Sequence, residues 1–309
     1  MGFDFQDILY EKKDHIARII INRPQARNAL SPNVFKELAE AFHDVGYDPA
    51  IGVVVLTGAG DEAFAAGADV KIFNKRTTRD SLEGLMIADH FNTMASAMRN
   101  CGKPVLARIF GDVIGGGFEL LLFCDLAIAA DNTRLIGGEA FIGAVPIGAT
   151  QLLTITIGDK RARWMLLTDD RIDAQTAYEW GLVNKVVPFK KLDEEVDKLC
   201  QTLLHKFPWA LRFTKTQLNF WHDITSTVLY QGRDFWAVHV ACTAEMLEGT
   251  SAFLEKRPTA WMEMRAKAAL GKPAEYIWGA PLKNCSRCGA KNLPDDFKFC
   301  GECGTKLGA

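Results

Sequence analysis

Apolar positions along the first two thirds of the chain switch repeatedly between strand and helix spacing. His15–Ile21 is rich in β-branched residues (Ile16, Ile19, Ile20, Ile21). With Phe5–Leu9 it predicts two strands around a charged turn, Glu11-Lys12-Lys13-Asp14. Ser31-Pro32 is an N-cap and first-turn pair. It opens a helix over Pro32–Val45, in which Val34, Phe35, Leu38, Ala41, Phe42 and Val45 recur at helical spacing. Ile51–Thr57 is a continuous apolar run bounded by Gly58 and Gly60 and reads as a buried strand of a parallel sheet. Ser81–Met98 predicts an amphipathic helix with Leu82, Leu85, Met86 and Phe91 on or near one side. Pro104–Ala107 and Leu126–Ala130 are further buried strands. Between them lie three glycines, Gly115, Gly116 and Gly117, then Phe118 and a helix beginning over Glu119–Phe123. That helix is apolar nearly all round and so belongs in the core. Arg134–Gly143 is a loop or short strand. Helices then dominate: Gly158–Thr168, Asp173–Trp180, Leu192–His205, Trp209–Asp223 and a long one across Thr225–Glu248. Strands alternating with helices, then helices alone, give an α/β core with a helical C-terminal part.

Composition narrows the classes. The chain has 309 residues, a net charge of −2 and a pI near 6.3, which gives no electrostatic reason to expect nucleic acid or an anionic membrane as partner. No apolar run reaches the ~20 residues of a membrane helix. Met1–Gln6 is not followed by the basic and apolar regions of a signal peptide, so a cytoplasmic protein is expected. Of eight cysteines, Cys101, Cys124, Cys200 and Cys242 are scattered and read as reduced, buried small hydrophobes. The other four crowd into Cys285–Cys303. Residues 271–284 carry Gly and Pro with little periodicity and read as a linker between a domain over 1–270, helical from about 192, and a small segment over 285–309.

The triple glycine follows a strand and precedes a buried helix. Glycines let a ligand atom approach bare backbone N–H groups. A helix N-terminus adds uncompensated donors and a positive dipole end. Such a corner can hold negative charge developing on oxygen; by itself it is equally a tight turn packed on a neighbour. Ala63–Val70 is a second small, apolar stretch after a strand. It can present another N–H or be a plain strand-to-helix turn.

Several ordered motifs together resemble the crotonase family, the enoyl-CoA hydratase/isomerase superfamily, from about Ile8 to about Trp261. They are Asn22-Arg23-Pro24 with Asn28-Ala29-Leu30; Phe64-Ala65-Ala66-Gly67-Ala68-Asp69; Gly115–Glu119 with Cys124-Asp125; Gly138-Glu139 before Pro146 and Thr150-Gln151; Leu167–Ala177 with Gly181-Leu182-Val183; and Glu248-Gly249 with Ala252-Phe253 through Lys256-Arg257. The resemblance implies a ββα spiral core with a helical C-terminal part used for trimer formation, and a homotrimer or hexamer. It implies an acyl-CoA substrate, with coenzyme A as part of the substrate and no catalytic cofactor. The N–H groups of Ala68 and Gly116 would form an oxyanion hole for the thioester carbonyl. Glu119 and Glu139 match the two hydratase glutamates. Glu119 would activate water for attack at C3 and Glu139 would deliver a proton to C2, in syn addition of water to an α,β-unsaturated acyl-CoA. Read alone, Glu119 is a glutamate favoured at a helix start and Glu139 a solvated loop carboxylate. Other crotonase reactions, double-bond isomerisation or hydrolysis of a cyclic oxo-acyl-CoA, use the same frame. A non-catalytic acyl-CoA-binding scaffold is a further reading, disfavoured by the retained glutamates.

Three departures border the acyl pocket. Gly138 stands where hydratases commonly have proline, the turn Pro146–Gln151 is one residue shorter than usual, and Leu152 replaces a common arginine. For coenzyme A, the resemblance points to backbone contacts at Ala29 and Ala66. Lys71 and Arg27 are the basic residues near the nucleotide, and each is equally well read as a solvated surface charge.

Cys285-Ser286-Arg287-Cys288 and Cys300-Gly301-Glu302-Cys303 are two CxxC pairs, each followed by glycine. Two such knuckles complete a tetrahedral Cys₄ site. The segment resembles a zinc ribbon with a structural Zn²⁺ on Cys285, Cys288, Cys300 and Cys303. Four thiolates leave no open catalytic position. The roles open to it are docking to a protein partner, subunit contacts or a folded tail.

Overall fold

The computed structural model describes residues 3–75, 81–224, 226–240, 243–271, 285–290, 293 and 297–307. The expected linker therefore lies outside the described residues, apart from Gly271. Two strands open the chain, β1 (Ile8–Lys13) and β2 (Ile16–Ile21), as an antiparallel hairpin pairing Ile8 with Ile21 and Lys13 with Ile16. The turn is Asp14-His15, with φ of 50° and 66°. Positive φ at both central residues matches the twist a two-residue hairpin needs. The charged run Glu11–Lys13 is thus strand, not turn. β1 is a sheet edge, where outward charges are tolerated and discourage further pairing, and Ile8 is its one buried residue.

Helix α1 (Pro32–Tyr47) starts where expected, with Ser31 Oγ accepting from the Val34 N–H at 3.2 Å. Next come β3 (Val53–Gly58), buried throughout, β4 (Ala63–Ala65), α2 (Val70–Lys75) and α3 (Ser81–Asn100). The stripe α3 buries is Ile87, Phe91, Met94, Ala95 and Met98; Met86, expected on that side, is exposed. The chain continues through β5 (Val105–Ile109), β6 (Asp112–Ile114), α4 (Gly116–Phe123), β7 (Leu126–Ala130) and β8 (Arg134–Ile136). Then follow α5 (Ala149–Ile157), α6 (Asp159–Thr168), β9 (Ile172–Asp173), α7 (Ala174–Trp180), β10 (Lys185–Val187) and α8 (Leu192–Leu204).

One six-stranded sheet has the order β1-β2-β3-β5-β7-β10, parallel except for the first pair. A four-stranded sheet, β4-β6-β8-β9, is parallel except for its last pair. Alternate residues of the large sheet bury on opposite faces. Ile19, Ile21, Val54 and Leu56 pack towards α1 and α3, while Val53, Val55, Leu106 and Ile128 pack with Leu192, Val196 and Cys200 of α8.

The C-terminal helices are α9 (Pro208–Leu218), α10 (Phe220–Ile224), α11 (Ser226–Phe235), α12 (Ala244–Glu255) and α13 (Trp261–Ala269). Both long helices expected here are broken. Asn219 divides the first: its Nδ2 donates to the Arg99 carbonyl at 3.0 Å, fixing the break against α3. In the second, Trp236–Val240 forms a π-helical turn and Thr243 is extended before α12. Trp236 is buried edge-on against Phe73, 5.4 Å between ring centroids. Widening the turn re-aims the chain so that this ring enters the core. No helix among the described residues is long and apolar enough to cross a membrane.

Lys215 docks α9 onto the core. Its ammonium is 6 % exposed and donates to the carbonyls of Met98 (3.1 Å) and Lys103 (3.0 Å) and to Asp125 Oδ2 (2.8 Å). Asp125 Oδ2 also accepts from the Val105 N–H at 2.7 Å, so one carboxylate ties β5, the end of α4 and α9 together. Lys215 is buried while Asp125 is partly exposed, so removing the ammonium leaves two carbonyls without a donor but the carboxylate in reach of water. Lys215→Ala is expected to destabilise the protein by about 2–3 kcal/mol in denaturant unfolding. A loss under about 1 kcal/mol, the range of exposed pairs, would show that α9 is held otherwise.

Candidate active site

β4 and β6 are parallel neighbours, and the loops that follow them lie against each other. A Cβ on Gly67 would sit 2.9 Å from the Ile114 carbonyl oxygen and 3.6 Å from Gly115 Cα. Gly115 has φ +51° and ψ −121°, a conformation that favours glycine, and it turns β6 into α4. The helix starts at Gly116, so Glu119 stands in its first turn. Gly117 has a packing role, since a Cβ there would meet the Ala65 carbonyl at 2.3 Å.

Leu30 fixes Ala68 from both sides: its N–H donates to the Gly67 carbonyl at 2.7 Å and its carbonyl accepts from the Asp69 N–H at 3.0 Å. The Ala68 and Gly116 N–H groups have no protein acceptor among the described residues. A Cβ on Gly116 would be 3.9 Å from Ala68 N, so the two donors share one corner. The Asn-Arg-Pro motif supports that corner. Arg23 pairs with Asp69 at 2.8 Å. Buried Asn28, at φ +56°, donates to the carbonyls of Ala63 (2.8 Å) and Ala59 (2.9 Å) and accepts from the Arg23 N–H (3.1 Å). Sequence reasoning located these motifs without giving Arg23, Asn28 or Asp69 a role.

Glu119 is buried, and its Oε1 accepts from the N–H groups of Gly148 (2.5 Å) and Ala149 (2.8 Å) at the start of α5. The Ile147 backbone faces the same carboxyl. Burial raises its pKa to about 7, against the opposing pull of the backbone N–H groups. Glu139 begins a 3₁₀ turn over Ala140–Ile142. Its Oε1 lies 3.3 Å from where a Gly115 Cβ would be, which sets the carboxyl against the glycine corner. Burial pushes its pKa up, and the neighbouring charges of Glu119 and Asp169 push it further. Asp169, which sequence reasoning missed, accepts from the N–H groups of Gly138 (2.7 Å) and Phe141 (2.6 Å). Its sequence signal is an aspartate at the end of a predicted helix, too common to single out.

The residues expected at coenzyme A are scattered in character. Lys71 is exposed and has no ion-pair partner among the described residues. Arg27 pairs with buried Asp112, which Arg134 also holds at 2.8 Å. The Ala29 backbone is engaged at both ends, by the Ala26 carbonyl and the Arg23 guanidinium. The Ala66 N–H donates to the Arg27 carbonyl at 3.1 Å, leaving the Ala66 carbonyl available.

The four clustered cysteines come together separately. All four Sγ atoms lie within 4.8 Å of one another, with Cys285–Cys303 and Cys288–Cys300 each 3.6 Å apart. The N–H groups of Gly289 and Gly304 donate to the carbonyls of Cys285 and Cys300, so the two knuckles repeat one geometry. A tetrahedral metal with about 2.3 Å bonds to sulfur needs Sγ atoms about 3.8 Å apart, and these positions fit it.

The sequence model of the enoyl-CoA hydratase/isomerase family matches residues 11–264. The chain belongs to this family. It is an enoyl-CoA hydratase-like enzyme with the expected crotonase fold. It is 35 % identical over 256 residues to a crotonyl-CoA hydratase of Syntrophomonas wolfei, covering 82 % of this chain and 96 % of that one. Among solved structures it is similar to an enoyl-CoA hydratase from Mycobacterium avium subsp. paratuberculosis (TM-score 0.74, 28 % identity, 82 % of this chain and 98 % of that one). It is also similar to one from Bacillus anthracis (TM-score 0.66, 32 % identity, 82 % and 98 %). The family match ends before the cysteine cluster.

The raised pKa of Glu119 has a consequence for stability. Its ordinary value is 4.5 and its folded value about 7. Below pH 4.5 the group is protonated in both states; as pH rises towards 7 the unfolded chain ionises first and stability falls. The loss is on the order of 3 kcal/mol by pH 8. A glutamine keeps the Oε1 acceptor without the titration. Glu119→Gln is therefore expected to melt above the wild type at pH 8, with the gap closing towards pH 4.5. A gap independent of pH would mean that Glu119 is not held with a raised pKa.

Proposed function

We propose that the enzyme hydrates short α,β-unsaturated acyl-CoA thioesters. The thioester carbonyl oxygen accepts from the Ala68 and Gly116 N–H groups, which hold the charge it gains in the enolate-like transition state. Loss of one such donor costs on the order of 3 kcal/mol in a site of this kind. Glu119, ionised, takes a proton from water through Oε2 as the water oxygen bonds to C3. Glu139, protonated, gives its proton to C2. The water's two hydrogens are thus accounted for: one stays on the new hydroxyl, and the other replaces the proton lost from the carboxyl pair. The observation that carries this reading is the pairing of buried Glu119 and half-buried Glu139, both of raised pKa, with two N–H groups at one corner that have no protein acceptor among the described residues. The likeness to a crotonyl-CoA hydratase supports a short acyl chain. Lys71 and the Ala66 carbonyl are the contacts offered to coenzyme A, with Ala29 and Arg27 shaping the loop.

A homotrimer or hexamer is part of the same proposal. Phe207, Trp209, Phe213 and Phe220 stay exposed around α9 and α10, an apolar surface suited to another subunit. The cysteine cluster over residues 285–309 would hold one structural Zn²⁺ through Cys285, Cys288, Cys300 and Cys303, and would serve as a docking element outside the chemistry.

With crotonyl-CoA, enoyl absorbance should fall on addition of enzyme. Glu119→Gln and Glu139→Gln should each lower kcat by at least about 100-fold, within the range of acid–base groups. Migration of the double bond without loss of unsaturation would replace hydration by isomerisation, and full activity in both variants would remove the acid–base assignment. Metal analysis should find one zinc per chain. Cys300→Ser should lose it and leave kcat for hydration unchanged; a zinc-free wild type would refute the ribbon.

A further inference from the structure

Glu139 sits between two glycines and an alanine, with no proline to restrain its backbone. Gly138 instead has φ +88°, a conformation proline cannot adopt, and it carries an N–H that proline would lack. That N–H donates to Asp169 Oδ1 at 2.7 Å, and Asp169 Oδ2 accepts from the Phe141 N–H at 2.6 Å. One carboxylate therefore spans Glu139, holding the residue before it and the second residue after it. The Glu139 carbonyl in turn accepts from the N–H groups of Ile142 (3.2 Å) and Ala144 (2.8 Å), closing the turn.

Asp169 itself occupies the left-handed cap of α6, at φ 51° and ψ 31°. Glycine fits such a cap most readily, so the aspartate stands where its backbone is not best suited. Its neighbour fixes it: Asp170 Oδ2 accepts from Trp164 Nε1 at 2.7 Å, and the Asp170 N–H donates to Thr168 Oγ1 at 3.2 Å. The Asp169 and Glu139 carboxyls flank one glycine. A Cβ on Gly137 would lie 3.3 Å from Asp169 Oδ1 and 3.5 Å from Glu139 Oε2.

We infer that Asp169 is the positioning residue for Glu139. It clamps the glycine-rich loop so that the Glu139 carboxyl faces the Ala68–Gly116 corner, and its negative charge keeps the Glu139 proton in place. The inference deepens the hydratase reading and rests on Glu139 as the acid. Charged groups on the packed elements support the electrostatic half. Glu119 on α4 and Asp169 beyond α6 both face the carboxyl, and both are acidic. Glu245 of α12 is engaged with His239, Arg163 of α6 with Asp159, and Arg134 of β8 with Asp112. Among the described residues no cation pairs with Glu139.

The sign of the effect follows. Glu139 works as an acid, so activity falls as pH rises through its pKa and the basic limb of the kcat/KM profile reports it. Neutralising Asp169 removes a like charge, lowers that pKa and moves the basic limb down. Asp169→Asn keeps an acceptor for Gly138 but points an amide towards the Phe141 N–H. Asp169→Gly removes the clamp while suiting the left-handed cap, so it preserves the fold.

The experiment uses the full chain, with crotonyl-CoA hydration followed from pH 5 to 10 and the Glu139 carboxyl titrated by carbon NMR. Asp169→Gly should lower kcat by about 10- to 100-fold, as expected for a misplaced catalytic group, with KM within about threefold. Asp169→Asn should move the basic limb and the NMR midpoint down together, by about one pH unit, of the order of a neighbouring charge's effect. Wild-type kcat in Asp169→Gly, or an unmoved midpoint in Asp169→Asn, would overturn the inference. Glu139→Gln separates the two claims: inactivity there with unaffected Asp169 variants refutes only the clamp, full activity in Glu139→Gln removes Glu139 as the acid and the clamp with it, and no loss of enoyl absorbance with the wild type refutes the hydratase reading itself. The NMR midpoint decides the charge effect whichever reaction the enzyme performs.

Discussion

Everything at this site depends on drawing two carboxyls out of water, Glu119 in the core and half-buried Glu139 beside it, next to backbone N–H groups. An isolated buried carboxylate is strongly disfavoured and answers by taking up a proton. Glu119 is balanced between the two forms. Burial favours the neutral acid, while the N–H groups of Gly148 and Ala149 at the start of α5 favour the anion. The outcome near neutrality suits the proton transfer proposed for it. Among the described residues no neighbour donates to Glu139, and it faces two acidic groups, so it is held further towards the acid form. Two residues of one type are pushed towards different roles by what surrounds them.

Much of this was legible in the sequence. A β-branched run and continuous apolar runs located β2, β3, β5 and β7, because strands buried on both faces leave little choice of residue. The triple glycine marked the corner because Gly115 needs a positive φ and Gly117 has no room for a Cβ. Single-residue signals worked less well where long-range contacts decide. The charged residues of β1 read as a turn because an edge strand does not need an apolar face. The long C-terminal helix was broken by the burial of Trp236 against Phe73, a residue far away in the sequence. Asp169 was invisible for the same reason: its partners are the N–H groups of Gly138 and Phe141, and backbone donors leave no trace in side-chain patterns.

Two of the departures that the resemblance implies bear on the carboxyls. Glycine for proline at position 138 frees the backbone of Glu139 and exposes an N–H, which Asp169 takes up. The shorter turn before α5 still delivers the Gly148 and Ala149 N–H groups to Glu119. Leu152 places a side chain only 1 % exposed in the main core. At Glu139 the stiffness of a proline is exchanged for hydrogen bonds and an acidic surround. That surround favours a protonated Glu139, the form that the proposed hydration requires of it.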